Sequence, residues 1–350
     1  MIIEISIHDF YCQQHRLPLI DVRSPGEYEK GHLPGATNIA LFSNEERAQV
    51  GTVYVQQSRD EAVELGYRFV TPKLDWFISE SRKVAGNSPV AVHCWRGGMR
   101  SHAFAEHLHE NGFDEVYVIT GGYKAYRNYV LDFFAQPLQL RILGGFTGSG
   151  KTLLLKNLQQ QGQQVVDLEG LAHHKGSAFG AIGESPQPTV EQFENNLFEA
   201  FRQLNLQQPI WLEDESHSIG KVKIPIPLFR QMRQQMVYFI QLSKEQRARH
   251  LVGQYTVCET PELAYAINGI AKRLGGQNVK LAHEYLAQQK FYEVALLALQ
   301  YYDKAYLRGV QNRNPELVCM VPLPDMNHEN NAKTLITLVE KYERNKTHTV

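Results

Sequence analysis

Apolar and polar positions along the chain fall into two series of short, β-branched runs separated by longer stretches with helical spacing. In the first series, residues 19–23, 37–41, 90–93 and 116–119 are compact apolar runs that end in polar residues or glycine. Helical spacing begins after Ser24, at Ser101 and at Gly121-Gly122, and Ser24 with Glu27 three positions later makes a capping box. Residues 44–52 read as a helix and turn within a long connection. The second series comprises strands at 138–143, 165–169, 209–215, 236–242 and 317–322, with helices at 152–158 and 332–342. Strands alternating with helices imply parallel sheets covered on both faces. A chain of 350 residues accommodates two domains of roughly 150 each. Pro137 marks the junction between 1–135 and 136–350, and residues 244–313 read as a helical insertion in the second domain.

The run from Val90 to His93 ends in Cys94, followed by Trp95-Arg96-Gly97-Gly98-Met99-Arg100-Ser101. A cysteine placed there closes a buried strand and faces a helix N-terminus, where loop amides and the helix dipole favour negative charge. Arg96 and Arg100 add to that field, so Cys94 is expected as a thiolate at neutral pH. The backbone N–H groups of Gly97, Gly98 and Met99 form a nest for a tetrahedral oxyanion. A lone cysteine at a strand end is most often core; the paired glycines and two arginines mark this one as a site.

Asp21-Val22-Arg23, Glu27-Tyr28 and Gly31-His32-Leu33-Pro34-Gly35-Ala36, together with the Cys94 loop and Gly121-Gly122, resemble the motifs of rhodanese domains over about residues 5–130. The resemblance implies a rhodanese-like parallel-sheet domain with Cys94, Arg96 and Arg100 as catalytic residues. One departure stands out. Small rhodaneses usually carry four residues between cysteine and arginine, and here there are five. His93-Cys94-x5-Arg100-Ser101 also matches the signature of cysteine phosphatases, whose chemistry needs a leaving-group acid; Asp21 and Asp75 are the candidates. Arg59, Arg68 and Lys73 read mainly as a solvated face.

In the second domain, Gly145-Phe146-Thr147-Gly148-Ser149-Gly150-Lys151-Thr152 fulfils the phosphate-loop (P-loop) pattern between a strand and a helix. Gly145, Thr147, Gly148, Ser149 and Gly150 would wrap phosphate oxygens, with Lys151 supplying charge and Thr152 holding magnesium. Asp167, Glu213 and Asp214, at strand ends, are the acidic candidates for that ion. The fold class is therefore α/β, a rhodanese-like domain followed by a P-loop NTPase-like α/β domain.

Net charge is −1, so a nucleic-acid site must be local. Residues 216–280 supply it, with ten Lys and Arg against three Asp and Glu. Lys221, Lys223, Arg247, Arg249, Lys272 and Arg273 are the candidate RNA contacts, with Tyr255 and Tyr265 to stack on bases. The apolar runs are too short for a membrane span and the N-terminus lacks a signal-type core. Four scattered cysteines argue against a structural metal or disulfide framework and for a reducing cytoplasm.

The whole chain resembles the tRNA 2-selenouridine synthases. The resemblance rests on Val92–Ser101, Gly145–Thr152, Asp167-Leu168-Glu169-Gly170-Leu171-Ala172-His173-His174-Lys175-Gly176-Ser177 and the stretch 211–219. It implies a transferase that replaces sulfur by selenium in wobble 2-thiouridine of the tRNA anticodon arm, using selenophosphate, through an S-geranyl intermediate made from geranyl diphosphate. No tightly bound cofactor is implied beyond magnesium at the P-loop; selenophosphate synthetase would be a partner and a membrane would not. In that scheme the second domain alkylates the sulfur, and the first delivers selenium through a Cys94–selenium adduct. Two alternatives stay open on the residues: a Cys-x5-Arg phosphatase fused to a regulatory nucleotide-binding domain, and a non-catalytic RNA-binding protein whose P-loop senses nucleotide.

Overall fold

The computed structural model describes residues 1–12, 17–177, 179–255 and 260–347. Its contacts divide the chain into two units, Met1–Ala135 with Glu194–Phe198, and Gln136–Phe193 with Glu199–Val350.

The first unit is built on a five-stranded parallel sheet of β1 (Ile2–Ile5), β2 (Leu19–Asp21), β3 (Ala36–Asn38), β4 (Val90–His93) and β5 (Val116–Ile119), in the order β1-β5-β4-β2-β3. All four residues of β4 are buried, as a central strand covered on both faces requires. Its helices are α1 (Ile7–Cys12), α2 (Pro25–Lys30), α3 (Asn44–Gln56), α4 (Arg59–Val70), α5 (Leu74–Ala85), α6 (Met99–Glu110) and α7 (Gly122–Phe133). The core runs through Ile20, Val22, Val90, Val92, Cys94, Phe104 and Leu108. β2 pairs with β3 on one side and β4 on the other, so the connections leaving β2 and β4 diverge and open a crevice at their C-terminal ends.

The connection expected as a helix and turn holds two full helices, α3 and α4. Serines start both. The Ser43 amide donates to the Glu46 carboxylate (2.8 Å) while its hydroxyl accepts from the Glu46 N–H (3.2 Å), and the Ser58 hydroxyl accepts from the Glu61 N–H (3.1 Å). α5 buries Phe77, Ser81 and Ala85, spaced one turn apart.

The second unit carries β6 (Leu140–Gly145), β7 (Gln164–Val165), β8 (Ile210–Glu213), a hairpin of β9 (Ser218–Ile219) and β10 (Val222–Lys223), β11 (Val237–Gln241) and β12 (Val318–Pro322). Its five-stranded parallel sheet has the order β12-β11-β6-β8-β7, with β6 central. The helices are α8 (Lys151–Gln160), α9 (Leu168–Ala172), α10 (Val190–Arg202), α11 (Ile226–Gln234), α12 (Lys244–Tyr255), α13 (Thr260–Gly269), α14 (Ala271–Leu274), α15 (Gly276–Ala287), α16 (Phe291–Gln311) and α17 (His328–Thr347). α12–α16 form the helical insertion around a core of Ala248, Leu263, Ile267, Ala295 and Leu299. The strand expected at 165–169 stops at Val165. Asp167 caps α9 instead, its carboxylate accepting from the Gly170 N–H at 2.7 Å, a local bond that competes with extended backbone. Cys258 and the Tyr255 side chain lie outside the described residues.

Candidate functional site

Cys94 follows β4 directly, and the loop Trp95-Arg96-Gly97-Gly98 leads into α6, with Gly98 as N-cap and Met99 as first helical residue. The sulfur is almost enclosed, 3 % exposed. Burial works against its charge, but the Ser101 hydroxyl 3.3 Å away, the Arg100 guanidinium and the amides of Arg96 and Gly98 outweigh it; the thiol pKa falls below its ordinary value. The loop is shaped by close approach. Gly97 (φ +60°) would place a Cβ 2.3 Å from the Ile119 carbonyl oxygen, and Gly122 (φ +55°) would place one 2.3 Å from that of Cys94. Only glycine fits either position. Through this contact the Tyr123 N–H donates to the Cys94 carbonyl and the Lys124 N–H to that of Trp95, both at 2.9 Å.

The Arg96 guanidinium is exposed at the loop. Arg100 is held: it donates to Glu27 at 3.1 Å, and Arg47 approaches the same carboxylate at 3.6 Å. Burial favours neutral Glu27, yet Arg100, the Ser24 amide and Arg47 keep its pKa below the usual range. Glu27 and Ser101 thus belong to the site; sequence reading used the first as a helix cap and both as parts of motifs, without a role at the cysteine. Asp21 is sealed in a buried pair with Arg23 (2.6 Å), which lies 3.8 Å over the Tyr123 ring. Burial would neutralise Asp21, but His93 and Arg23 hold its pKa low, so it has no proton to give a leaving group. Asp75 is exposed in the first turn of α5. The phosphatase alternative therefore loses the buried one of its two expected acids.

In the second unit, residues 145–152 run from β6 into α8. Gly148 and Gly150 have positive φ, and the Ser149 hydroxyl is buried without a partner among the described residues. Lys151 is 8 % exposed. Burial opposes its charge, but the neighbouring Tyr306, Glu169, Glu215 and Glu213 reverse that and raise its pKa. Its ammonium sits 5.6 Å from the centre of the Tyr306 ring. Thr152 donates to Glu169 at 2.9 Å. Glu215 is pushed up to about 8, by burial first and then by Glu169.

The acidic residues expected at this loop are otherwise engaged. Asp167 caps α9. Glu213 is fully buried and accepts from the Leu168 N–H at 2.9 Å, and burial, then Asp167 and Glu169, push its pKa well above the usual carboxylate range. Asp214 is paired with Arg313 and lies 3.6 Å from Arg233. Thr152, the residue expected to hold magnesium, meets Glu169 at this loop; no group of three or more metal-binding side chains occurs among the described residues. Glu169, Glu215 and Tyr306 are the residues that sequence reading missed. Glu169 lies two residues after Asp167 and Glu215 directly after Asp214, both of them chosen, and Tyr306 comes from α16, with no local signal.

Of the basic candidates, Lys221 and Lys223 are exposed on the β9–β10 hairpin, Arg249 on α12, and Lys272 and Arg273 on α14. Arg273 also donates to the Tyr301 hydroxyl at 2.7 Å. Tyr265 is 82 % exposed. Arg247 does not belong with them. It is buried, makes two 2.8 Å bonds to Asp303, and donates to the Thr147 carbonyl at 3.1 Å, so it braces the P-loop. Among the charges read as solvated, Arg68 pairs with Glu64 and Lys73 with Glu46.

No helix among the described residues is long and apolar enough to cross a membrane. Residues 8–129 match the rhodanese-like domain family, and residues 138–323 match the tRNA 2-selenouridine synthase AAA domain. The tRNA 2-selenouridine synthase of Nitrosomonas europaea is 33% identical over 85% of this chain and 90% of its own. That of Hydrogenovibrio crunogenus is 36% identical over 85% and 90%, and that of Sulfurovum sp. (strain NBC37-1) 35% over 83% and 87%. With both domains matched in order and relatives aligned over nearly their full length, the chain belongs to the tRNA 2-selenouridine synthase family.

Proposed function

We propose that this protein replaces sulfur by selenium in wobble 2-thiouridine of tRNA, in two steps assigned to its two phosphate-type loops. In the first, the base sulfur attacks C1 of geranyl diphosphate; a C–S bond forms, diphosphate leaves and the N3 proton of the base goes to solvent. The P-loop amides and Lys151 take up the charge of the departing group. In the second, selenium of selenophosphate attacks C2 of the base and geranylthiolate leaves, taking a proton from solvent. The Cys94 thiolate then attacks phosphorus in the resulting Se–PO3 group. The P–Se bond breaks, its electron pair stays on selenium, and N3 of the base takes a proton. Water cleaves the S–P bond and returns Cys94.

No atom changes oxidation state in this sequence. A Cys94–selenium adduct, the expectation from sequence, would require an oxidant for selenium or a reduced phosphorus leaving group, so the thiolate is assigned to phosphorus. The observation that carries the reading is the enclosed Cys94 sulfur facing loop amides, Ser101 and Arg100, a geometry suited to a tetrahedral oxyanion. Lys221, Lys223, Arg249, Lys272, Arg273 and Tyr265 are the proposed contacts to the anticodon arm. Selenophosphate synthetase would supply the donor, and the cytoplasm is the proposed compartment. The test is mass spectrometry of nucleosides from 2-thiouridine tRNA incubated with the protein, selenophosphate and geranyl diphosphate. 2-Selenouridine is expected only with both small molecules; its absence with both present sinks the proposal.

A further inference from the structure

The first unit contains a cavity of about 820 Å³ bounded by α3, α4, α5 and α6. That is within the range of small-molecule sites, roughly 300–1,000 Å³. Its wall is mainly hydrocarbon and aromatic: Leu41, Phe42, Val50, Val63, Phe77 and Phe104. Leu41, Phe42, Phe77 and Phe104 share one core cluster with Cys94. Met99 and Arg100, which begin the helix after the Cys94 loop, also line it. Tyr54, Val55 and Tyr67 add apolar surface that is 60 %, 81 % and 58 % exposed. A cavity of this size within a rhodanese-like unit has no use in handling a single selenium atom or a phosphate.

We infer that this cavity seats the S-geranyl chain of the modified base while selenium replaces sulfur. The inference rests on the proposed function and adds a site to it. The bond that breaks in the selenium step joins C2 to the geranyl-bearing sulfur, so the chain must lie near the loop that handles the Se–PO3 group. The cavity meets that loop at Met99 and Arg100. A cavity of about 150 Å³ holds benzene, so on the same scale ten carbons need roughly 250 Å³, and the space suffices. The charged groups on its wall are mixed, Arg47, Arg59 and Arg100 with Glu106 and Glu110, so the lining selects for the apolar chain rather than for an anion. Burying the chain also explains why an alkyl group is installed only to be expelled: it anchors the base against the Cys94 loop and leaves as a thiol.

The experiment compares anticodon stem-loop RNA carrying S-geranyl- or S-methyl-2-thiouridine in single-turnover reactions with selenophosphate. The intact protein is expected to convert the geranyl form at least about tenfold faster. Val63→Trp, which fills the cavity from α4, should bring that ratio close to one. Ala103→Phe, from α6, is a second filler that carries the same test should the first variant melt early. A ratio unchanged in a folded variant overturns the cavity assignment and leaves the proposed function standing. If the intact protein converts neither RNA, the proposed function fails, and calorimetry with 2-thiouridine nucleosides bearing alkyl chains of one to ten carbons decides the cavity by itself. Affinity that rises with chain length and drops at least tenfold in Val63→Trp supports it; affinity independent of chain length overturns it.

Discussion

The two anion loops of this protein sit in the same place in similar sheets yet are electrically opposite inside. Each follows an interior parallel strand, β4 or β6, and leads into a helix N-terminus. The Cys94 loop surrounds a buried sulfur with donors: a hydroxyl, two amides and a guanidinium. Its potential negative charge is on the protein. The P-loop surrounds a buried ammonium with acceptors, and these raise the Lys151 pKa, Tyr306 and Glu169 foremost. Its missing negative charge is the ligand's. A loop built to stabilise its own anion suits a nucleophile, whereas a loop with a compensated cation suits an anionic group that arrives and leaves. Glu215, pushed up to about 8, is a carboxyl at the P-loop whose proton can adjust when a phosphate displaces the internal compensation.

The largest expected effect separates the loops outright. Cys94→Ser should lower 2-selenouridine formation by about a thousandfold or more, since a serine hydroxyl is not ionised at neutral pH. Geranylation of the same tRNA should continue, and tRNA binding should stay within severalfold. Nucleoside mass spectrometry and a filter-binding assay read the two outcomes; selenouridine made at a normal rate would remove Cys94 from the mechanism.

Lys151→Ala is the reciprocal cut. A charge-assisted hydrogen bond is worth roughly 1.5–3 kcal/mol, so S-geranylation should fall by about ten- to a hundredfold or more. Selenation of unmodified 2-thiouridine tRNA should fall in parallel, while tRNA already carrying the geranylated base should still be selenated. A variant equally inactive on both forms, with tRNA still bound, would erase the division of labour between the loops.

Arg100→Lys sharpens the comparison within the first unit. An ammonium lacks the paired donors that let Arg100 bind Glu27 and an oxyanion together, so the KM for selenophosphate should rise about tenfold while geranylation persists. Equal loss of both activities would point to a folding defect.

The smallest effect concerns stability and pH. The folded-state pKa of Glu215 is raised from 4.5 to about 8, so the folded protein holds a proton that the unfolded chain releases. Stability from this group is complete below about pH 4.5 and is lost as pH rises toward 8. Glu215→Gln should therefore flatten the fall in melting temperature across that window, by on the order of 2–4 °C for each kcal/mol of the linkage in a domain of 150–250 residues. A parallel pH profile in wild type and variant would show that Glu215 is ionised throughout.

Both loops were legible in the sequence because each is written in one contiguous stretch, and their chemistry follows from glycine, cysteine, arginine and lysine at fixed spacing. Alternating strands and helices were legible for the same local reason. The α3–α4 pair was read only in part: charges and small residues are spread all around α3, which hides its helical period, although Ser43 and Ser58 each open a Ser-x-x-Glu start signal of the kind read at Ser24.

The sequence by itself determined that two anion-binding turns follow two apolar strands, since backbone amides and side chains within eight or nine residues suffice to make them. Only the tertiary structure decided what surrounds them. It set Glu27 against Arg100, 73 residues away, placed Tyr306 beside Lys151, and turned Arg247 inward onto Asp303 and the Thr147 carbonyl instead of outward toward RNA. It also left the cavity between α3 and α6 unfilled. Such pairings depend on how distant elements pack and on which charges lose their water, and burial is a property of the whole unit rather than of any stretch of chain.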